Sequence, residues 1–164
     1  MPWTPQFSAI FEEQIIVNTK ALIVRDMKSA LDHFYPSPLN LPDFKERALG
    51  QVIGAEFPFL AIGPRENRVE DTDDRSHVVE AARISLYVGV TDDSPENVTI
   101  KIMRYVRALD AVLRTGRQDF FTGMSNPFGV VVDVTHSYPG FIGANDSVYF
   151  RSATLELTVS LRER

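Results

Sequence analysis

The stretch from Val78 to Gly116 constrains the fold of this chain more than any other. It opens as an alternating run, VVEAARISLYVGV. Val78, Glu80, Ala82, Ile84, Leu86, Val88 and Val90 fall on one face, and Val79, Ala81, Arg83, Ser85, Tyr87 and Gly89 on the other. Because successive strand residues point to opposite faces, Ile84, Leu86, Val88 and Val90 belong on the core side. The run ends in an acidic turn, TDDSPEN, and a helix follows. Ser94 is a favoured N-cap, since its hydroxyl can accept from a first-turn N–H that has no helical partner. Pro95 suits the first helical position, where its missing N–H costs nothing. Asp92, Asp93 and Glu96 place negative charge at the positive end of the helix dipole. Val98, Ile102, Val106, Leu109 and Leu113 then recur at three- and four-residue steps and make one apolar stripe. Gly116 is the expected stop.

Lys101, Arg104, Arg107 and Arg114 lie off that stripe. The simplest reading of these cations is a solvated face. The alternative is a partner-binding surface, with Arg104 and Arg107 as its centre. Arginine outnumbers lysine in the chain, a bias that suits interfaces.

The rest of the chain supplies partners for this unit. Residues 5 to 34 keep helical spacing through Phe7, Ile10, Phe11, Ile15, Leu22, Leu31 and Phe34, which predicts one long helix with a bend near Asn18-Thr19. Pro36 and Pro38 end it. Residues 36 to 55 are irregular, with one or two helical turns expected over Pro42 to Arg47 and Gly50 closing them. FPFLAIG predicts a strand that PRENRVE extends along a sheet edge. Asp71 to Arg75 form an acidic turn between it and the Val78 strand, so the two make an antiparallel hairpin. Residues 118 to 127 read as a linker, GVVVDVTH as a buried strand and SYPGFIGAND as a loop. The closing strand alternates Leu155, Leu157, Val159 and Leu161 with Glu156, Thr158 and Ser160. At 164 residues one domain is the default. The expectation is a single α+β domain: an N-terminal helix and irregular segment over 1–55, and a sheet plus central helix over 56–164. The sheet should be mainly antiparallel, of about four strands, with two main helices packed on one face.

Few kinds of chemistry suit this sequence. Without cysteine there is no disulfide, no zinc–thiolate site and no thiol nucleophile. Phosphate-cradling glycine loops and nucleophile elbows are missing. The three histidines, His33, His77 and His136, include no local metal pair. Asp133 and His136, joined by His77 from another strand, are the one candidate metal or ligand site, and solvated loop side chains are its plain alternative. DTDDRS lacks the glycine and distant glutamate of a calcium loop. A net charge of −5 argues against wrapping nucleic acid. No apolar run is long enough to span a bilayer, and the N-terminus lacks the basic start and apolar core of a signal peptide. The expectation is a non-enzyme with no cofactor and no metal.

The order of elements resembles the tail terminator (tail-completion) and neck proteins of long-tailed bacteriophages. The resemblance rests on the N-terminal helix, FPFLAIGPRENRVED, ARISLYVGVTDD, SPENVTIKIMRYVRALDAVL and SATLELTVSLRER. It is strongest where an acidic strand end runs into the helix pattern over Met103 to Leu113. Residues 1 to 55 exceed that family's usual opening helix. The resemblance implies a virion protein of the tail or neck, assembled in the host cytoplasm. It implies a homo-hexameric ring that caps the tail tube and meets a head-completion or connector protein, with DNA only passing through the lumen. It transfers no catalytic residues. For a ring, Arg104 and Arg107 on the helix and Asp73, Asp74, Asp92 and Asp93 in the acidic runs are the candidate opposite patches. Three classes therefore stand. One is this ring. Another is a different head–tail connector, head-completion adaptor or tube subunit. The last is a small enzyme-like domain using Asp133, His136 and His77. If the helix face is a subunit contact, reversing charge at Arg104 and Arg107 weakens assembly and leaves the fold intact. Unchanged mass in solution would mean a merely solvated face.

Overall fold

The structure is a computed structural model that describes residues 11–36, 39, 41–50, 56–71, 78–123, 128–138, 143–145 and 147–163. In chain order the elements are helix α1 (Phe11–Phe34), strands β1 (Glu46–Leu49), β2 (Phe59–Asp71) and β3 (Val78–Asp92), helix α2 (Pro95–Thr115), a 3₁₀ turn (Asp119–Phe121), and strands β4 (Phe128–Ser137), β5 (Gly143–Asn145) and β6 (Val148–Glu163). The fold is α+β. The sheet runs β1-β2-β3-β6-β4, with β5 also paired to β6. Every pairing is antiparallel except β1 with β2.

The central pair, β3 and β6, sets the core. Ile84 lies opposite Leu157 and Leu86 opposite Leu155, so the apolar sets of both strands share one face. Ala82, Ile84, Leu86, Val88 and Val90 are buried there with Ala153, Leu155, Leu157 and Val159. Both helices cover that face, α1 over β2 and β3, α2 over β3, β6 and β4. The α2 stripe Val98, Ile102, Val106, Leu109 and Leu113 is fully buried, as its spacing requires.

The cap is built as the sequence implies. Ser94 Oγ accepts from the Asn97 N–H at 3.3 Å, with Pro95 in the first turn. Gly116 ends α2, but at φ −85 it uses no left-handed conformation. Its role is close approach: a Cβ there would meet the Leu22 side chain of α1 at 2.4 Å.

Four local expectations change. Helical turns over Pro42 to Arg47 do not form. The chain is irregular to Lys45 and then enters β1, where Glu46 to Leu49 pair with Phe59 to Ile62. An available sheet edge outweighs weak local helix preference, because each residue added to it satisfies backbone groups of both strands. Gly50, at φ +84, turns the chain out of β1. The SYPGFIGAND loop contains β5, which folds back on β6 through Ser147 at φ 72. The expected buried strand over 129–136 is an edge strand. Of its described side chains only Val134 is buried, while Asp133, Thr135, His136 and Ser137 are exposed. The sheet therefore has six strands where four are expected. The first helix is described from Phe11, and residues 1–10 and the acidic turn from 72 to 77 lie outside the described residues.

The fourth change is in the expected linker after α2. Its 3₁₀ turn buries Phe120 and Phe121 against α1. Asn18, buried in the middle of α1, holds that turn. Its Nδ2 donates to the Phe120 carbonyl at 2.8 Å and to the Thr122 carbonyl at 3.0 Å. Replacing Asn18 by alanine removes the donor from a buried carbonyl, and the expected loss is about 1–3 kcal/mol. It is read as a lower denaturant midpoint at unchanged slope. An unchanged midpoint would mean that Phe120 and Phe121 hold the turn without it.

Candidate functional site

Charge on this molecule is distributed unevenly between its faces. Away from the helices, the sheet carries paired ions: Arg65 with Glu156, and Arg83 Nη1 with Glu66 Oε2 at 3.2 Å. On α1, Arg25 bridges Asp26 and Asp119, and Lys28 pairs with Asp32 one turn on. At the start of α2, Lys101 Nζ lies 2.5 Å from Asp92 Oδ2. The side of α2 that faces β4 and the start of β6 is different. Cations accumulate there.

Four arginines make that face. Arg107 is the most open, its side chain 70% exposed, with Nη1 3.7 Å from Asp110 Oδ2. Arg114 clamps the same carboxylate through Nε at 3.0 and 3.1 Å and donates Nη2 to the Val134 carbonyl at 3.3 Å. Asp110 is buried, its side chain 7% exposed, so it is neutralised internally. Arg104 lies 5.0 Å over the Tyr35 ring, a cation–π contact at the end of α1. Arg151, on β6, donates Nη1 to Thr99 Oγ1 at 2.8 Å. Neither Arg104 nor Arg151 has a carboxylate partner among the described residues. Arg104 Nη1 and Arg151 Nε are buried and meet no acceptor there. Leaving a charged donor unmatched costs more than the 1–3 kcal/mol typical of neutral groups, roughly. Tyr138 adds a ring to this cluster. Burial first, and then the nearby Tyr35 hydroxyl, push its own hydroxyl pKa up. Met103, 47% exposed, sits one residue from Arg104.

Of the six residues expected at a subunit contact, Arg104 and Arg107 occupy this face. Asp73 and Asp74 lie outside the described residues. Asp93 is exposed at the entry to α2. Asp92 is not an open patch. Its Oδ1 accepts from the Ser94 N–H at 3.0 Å while Oδ2 holds Lys101. Burial pushes its pKa up, but the Lys101 and Ser94 contacts outweigh that and lower it to about 2.

Asp133 and His136 do not converge. Three residues apart on β4, they project from opposite faces of the strand. His136 instead packs edge-on to Tyr138, and His77 lies outside the described residues. Among the described residues no three His, Asp or Glu side chains are grouped to hold a metal. A groove of about 400 Å³ between α2 and residues Pro42, Lys45, Phe57 and Pro58 has two of its polar groups committed. Lys101 is bound to Asp92, and the Tyr105 hydroxyl donates to the Pro42 carbonyl.

Two residues of this face, Arg151 and the Asp110 that neutralises the face in part, carry a local signal in the sequence. The alternation Arg151, Ala153, Leu155 puts Arg151 on the helix side of β6, and Asp110 stands four residues before Arg114 on one helix face. Tyr35, after α1, and Tyr138, after β4, are far apart in sequence, and only the fold brings them together.

No family model matches the chain, and no curated protein does. Among solved structures, a chain of the virion of a native gene transfer agent particle is similar at a TM-score of 0.50 and 8% identity. The match covers 96% of this chain and 100% of that one. At this identity the likeness is one of fold.

The Asp92 contacts generate a pH test. With its folded pKa below the ordinary 3.8, the ionised carboxylate stabilises the fold above about pH 4, and this is lost as pH falls toward about 2. Asp92→Asn should cost about 1 kcal/mol at neutral pH, and the cost should fall away as pH drops through about 2. A wild-type–variant difference that stays constant over this range would mean that charge at Asp92 plays no part.

Proposed function

We propose that this chain is a structural virion protein that forms a ring by head-to-tail contacts and resembles a phage tail terminator. The reading is a homo-hexamer capping the tail tube and joining it to a head-completion or connector protein. DNA passes through the lumen, and no reaction is catalysed. The observation that carries it is the shared fold with a chain of a virion particle, end to end on that chain.

Two features support assembly. Arg107 presents a guanidinium that is 70% exposed on α2, which suits a charge-assisted contact with a partner's carboxylate. Among the described residues, the lateral borders of the sheet at β1 and at β4 carry strand edges with no further strand paired to them, and proteins either protect such edges or use them for pairing. The divergence of Asp133 and His136 counts against the enzyme-like alternative. A head–tail connector or head-completion adaptor shares every supporting feature and is the second reading.

Electron microscopy and mass measurement of the purified chain test this. The expected result is closed rings with a central channel and a mass about six times the 18.5 kDa chain. A strict monomer at all concentrations would sink the reading. Labelling in particles separates the two assignments: signal at the junction of tube and head fits the terminator, and signal in the head vertex fits the adaptor.

A further inference from the structure

The cations on α2 and β6 ask where their counter-charges come from. On the chain's other border, the opening turns of α1 approach β1 and β2. Glu12, Glu13, Ile16, Val17, Leu49 and Ile62 line a groove of about 360 Å³ there. Val17 is 47% and Leu49 50% exposed, high for apolar side chains that stand together. Glu13 is exposed and Glu12 half-exposed, and neither has an ion-pair partner among the described residues. This surface therefore carries unmatched carboxylates beside bare apolar groups. The face across the molecule presents the open guanidinium of Arg107, flanked by the partly exposed Arg104 and Arg151, beside Met103 and Tyr35.

The two surfaces sit on opposite borders. The sheet order β1-β2-β3-β6-β4 places β1 at one edge and β4 at the other. Helix α1 lies over β2 and β3, and α2 over β3, β6 and β4. We propose that the basic face centred on Arg104, Arg107 and Arg151 docks on the groove between α1 and β1 of a second copy, with Glu12 and Glu13 as its counter-charges. This rests on the ring reading and names the contact that closes it.

The occupant is a second copy because one chain holds both complementary halves, on borders where one rotation can repeat the contact until it closes. Pairing either surface with itself would set arginine against arginine or glutamate against glutamate. Tyrosine, methionine and arginine on the basic face are the residue types enriched at protein interfaces. A nucleic acid would find one basic patch on a chain of net charge −5. The acidic partner differs from the TDDSPEN turn, where Asp92 is already committed to Lys101 and Ser94.

The test uses the full chain in four forms: wild type, Arg107→Glu, Glu13→Lys, and both changes together. Both positions are exposed and Arg114 keeps the Asp110 carboxylate paired in the Arg107 variant, so helix content and thermal unfolding should stay close to wild type. Sedimentation velocity over a range of concentrations reads the half-assembly point. Each single reversal should raise it at least about tenfold, since like charges brought together at an interface cost more than the 1.4 kcal/mol that a factor of ten represents. The double variant should recover part of that loss, as should an equimolar mixture of the two single variants, in which each reversed face meets its complement. Weakening by both single changes with no recovery in either format overturns the pairing. An assembled wild type that neither change affects overturns the pairing and leaves the ring standing. A strictly monomeric wild type overturns both. DNA binding by wild type that Arg107→Glu abolishes, at unchanged mass, would assign the basic face to nucleic acid and overturn the pairing as well.

Discussion

The pairing of β3 with β6 is the constraint on which the other elements depend. It runs in unbroken antiparallel register from Val78 opposite Glu163 to Asp92 opposite Tyr149. That register puts two apolar rows side by side on one face. The resulting strip of buried surface is wide enough to seat both helices. At roughly 25 cal/mol per Å² of apolar area removed from water, such a strip supplies most of what opposes chain entropy. The pairing also joins residues far apart in sequence, so the seat of α2 over β3, β6 and β4 is complete only with β6 in place.

A one-residue irregularity on β2 shows how tightly the register is used. From Phe59 to Pro64, even-numbered residues of β2 align with the core row of β3. A bulge between Pro64 and Glu66 then shifts the pairing by one. Asn67 thereby reaches the helix side, where its Nδ2 donates to Glu80 Oε1 at 2.7 Å. Glu80 is a buried carboxylate at a core-row position. Without the bulge, Asn67 would face away from it, because a single-residue slip exchanges the faces of a strand. Pro64 also sits beyond the reach of β1, where the missing N–H breaks no ladder.

Helix α2 treats its charges in two ways, and the contrast bears on function. Its N-terminal turn is internally balanced: Asp92, Ser94 and Lys101 form a closed set that fixes the strand-to-helix corner. Along its other flank Asp110 neutralises Arg114 and approaches Arg107, while Arg104 and Arg151 are left with a tyrosine ring and a threonine hydroxyl. A structural corner needs matched charge to be stable by itself. A contact surface can carry open charge such as Arg107, since a partner can meet it.

Local rules decided the well-marked parts of this protein from sequence. Alternation assigned the buried face of β3 and the closing strand, three- and four-residue spacing assigned the buried stripe of α2, and Ser94-Pro95 placed its start. Each follows from backbone geometry that any chain must obey. Tertiary structure decided what depends on neighbours. Residues 46 to 49 became a strand because β2 offered an edge. Residues 119 to 121 became a buried turn because Asn18 offered a donor. Gly116 was marked as a stop by its residue type, but the reason for glycine there is the Leu22 side chain. The basic face was half legible, since Arg104 and Arg107 stand off the apolar stripe of one helix. Tyr35, Tyr138 and Arg151 join it from three other parts of the chain, and no local period connects them. Their meeting depends on the register between strands and the packing of one helix on another, which are set by the whole fold at once.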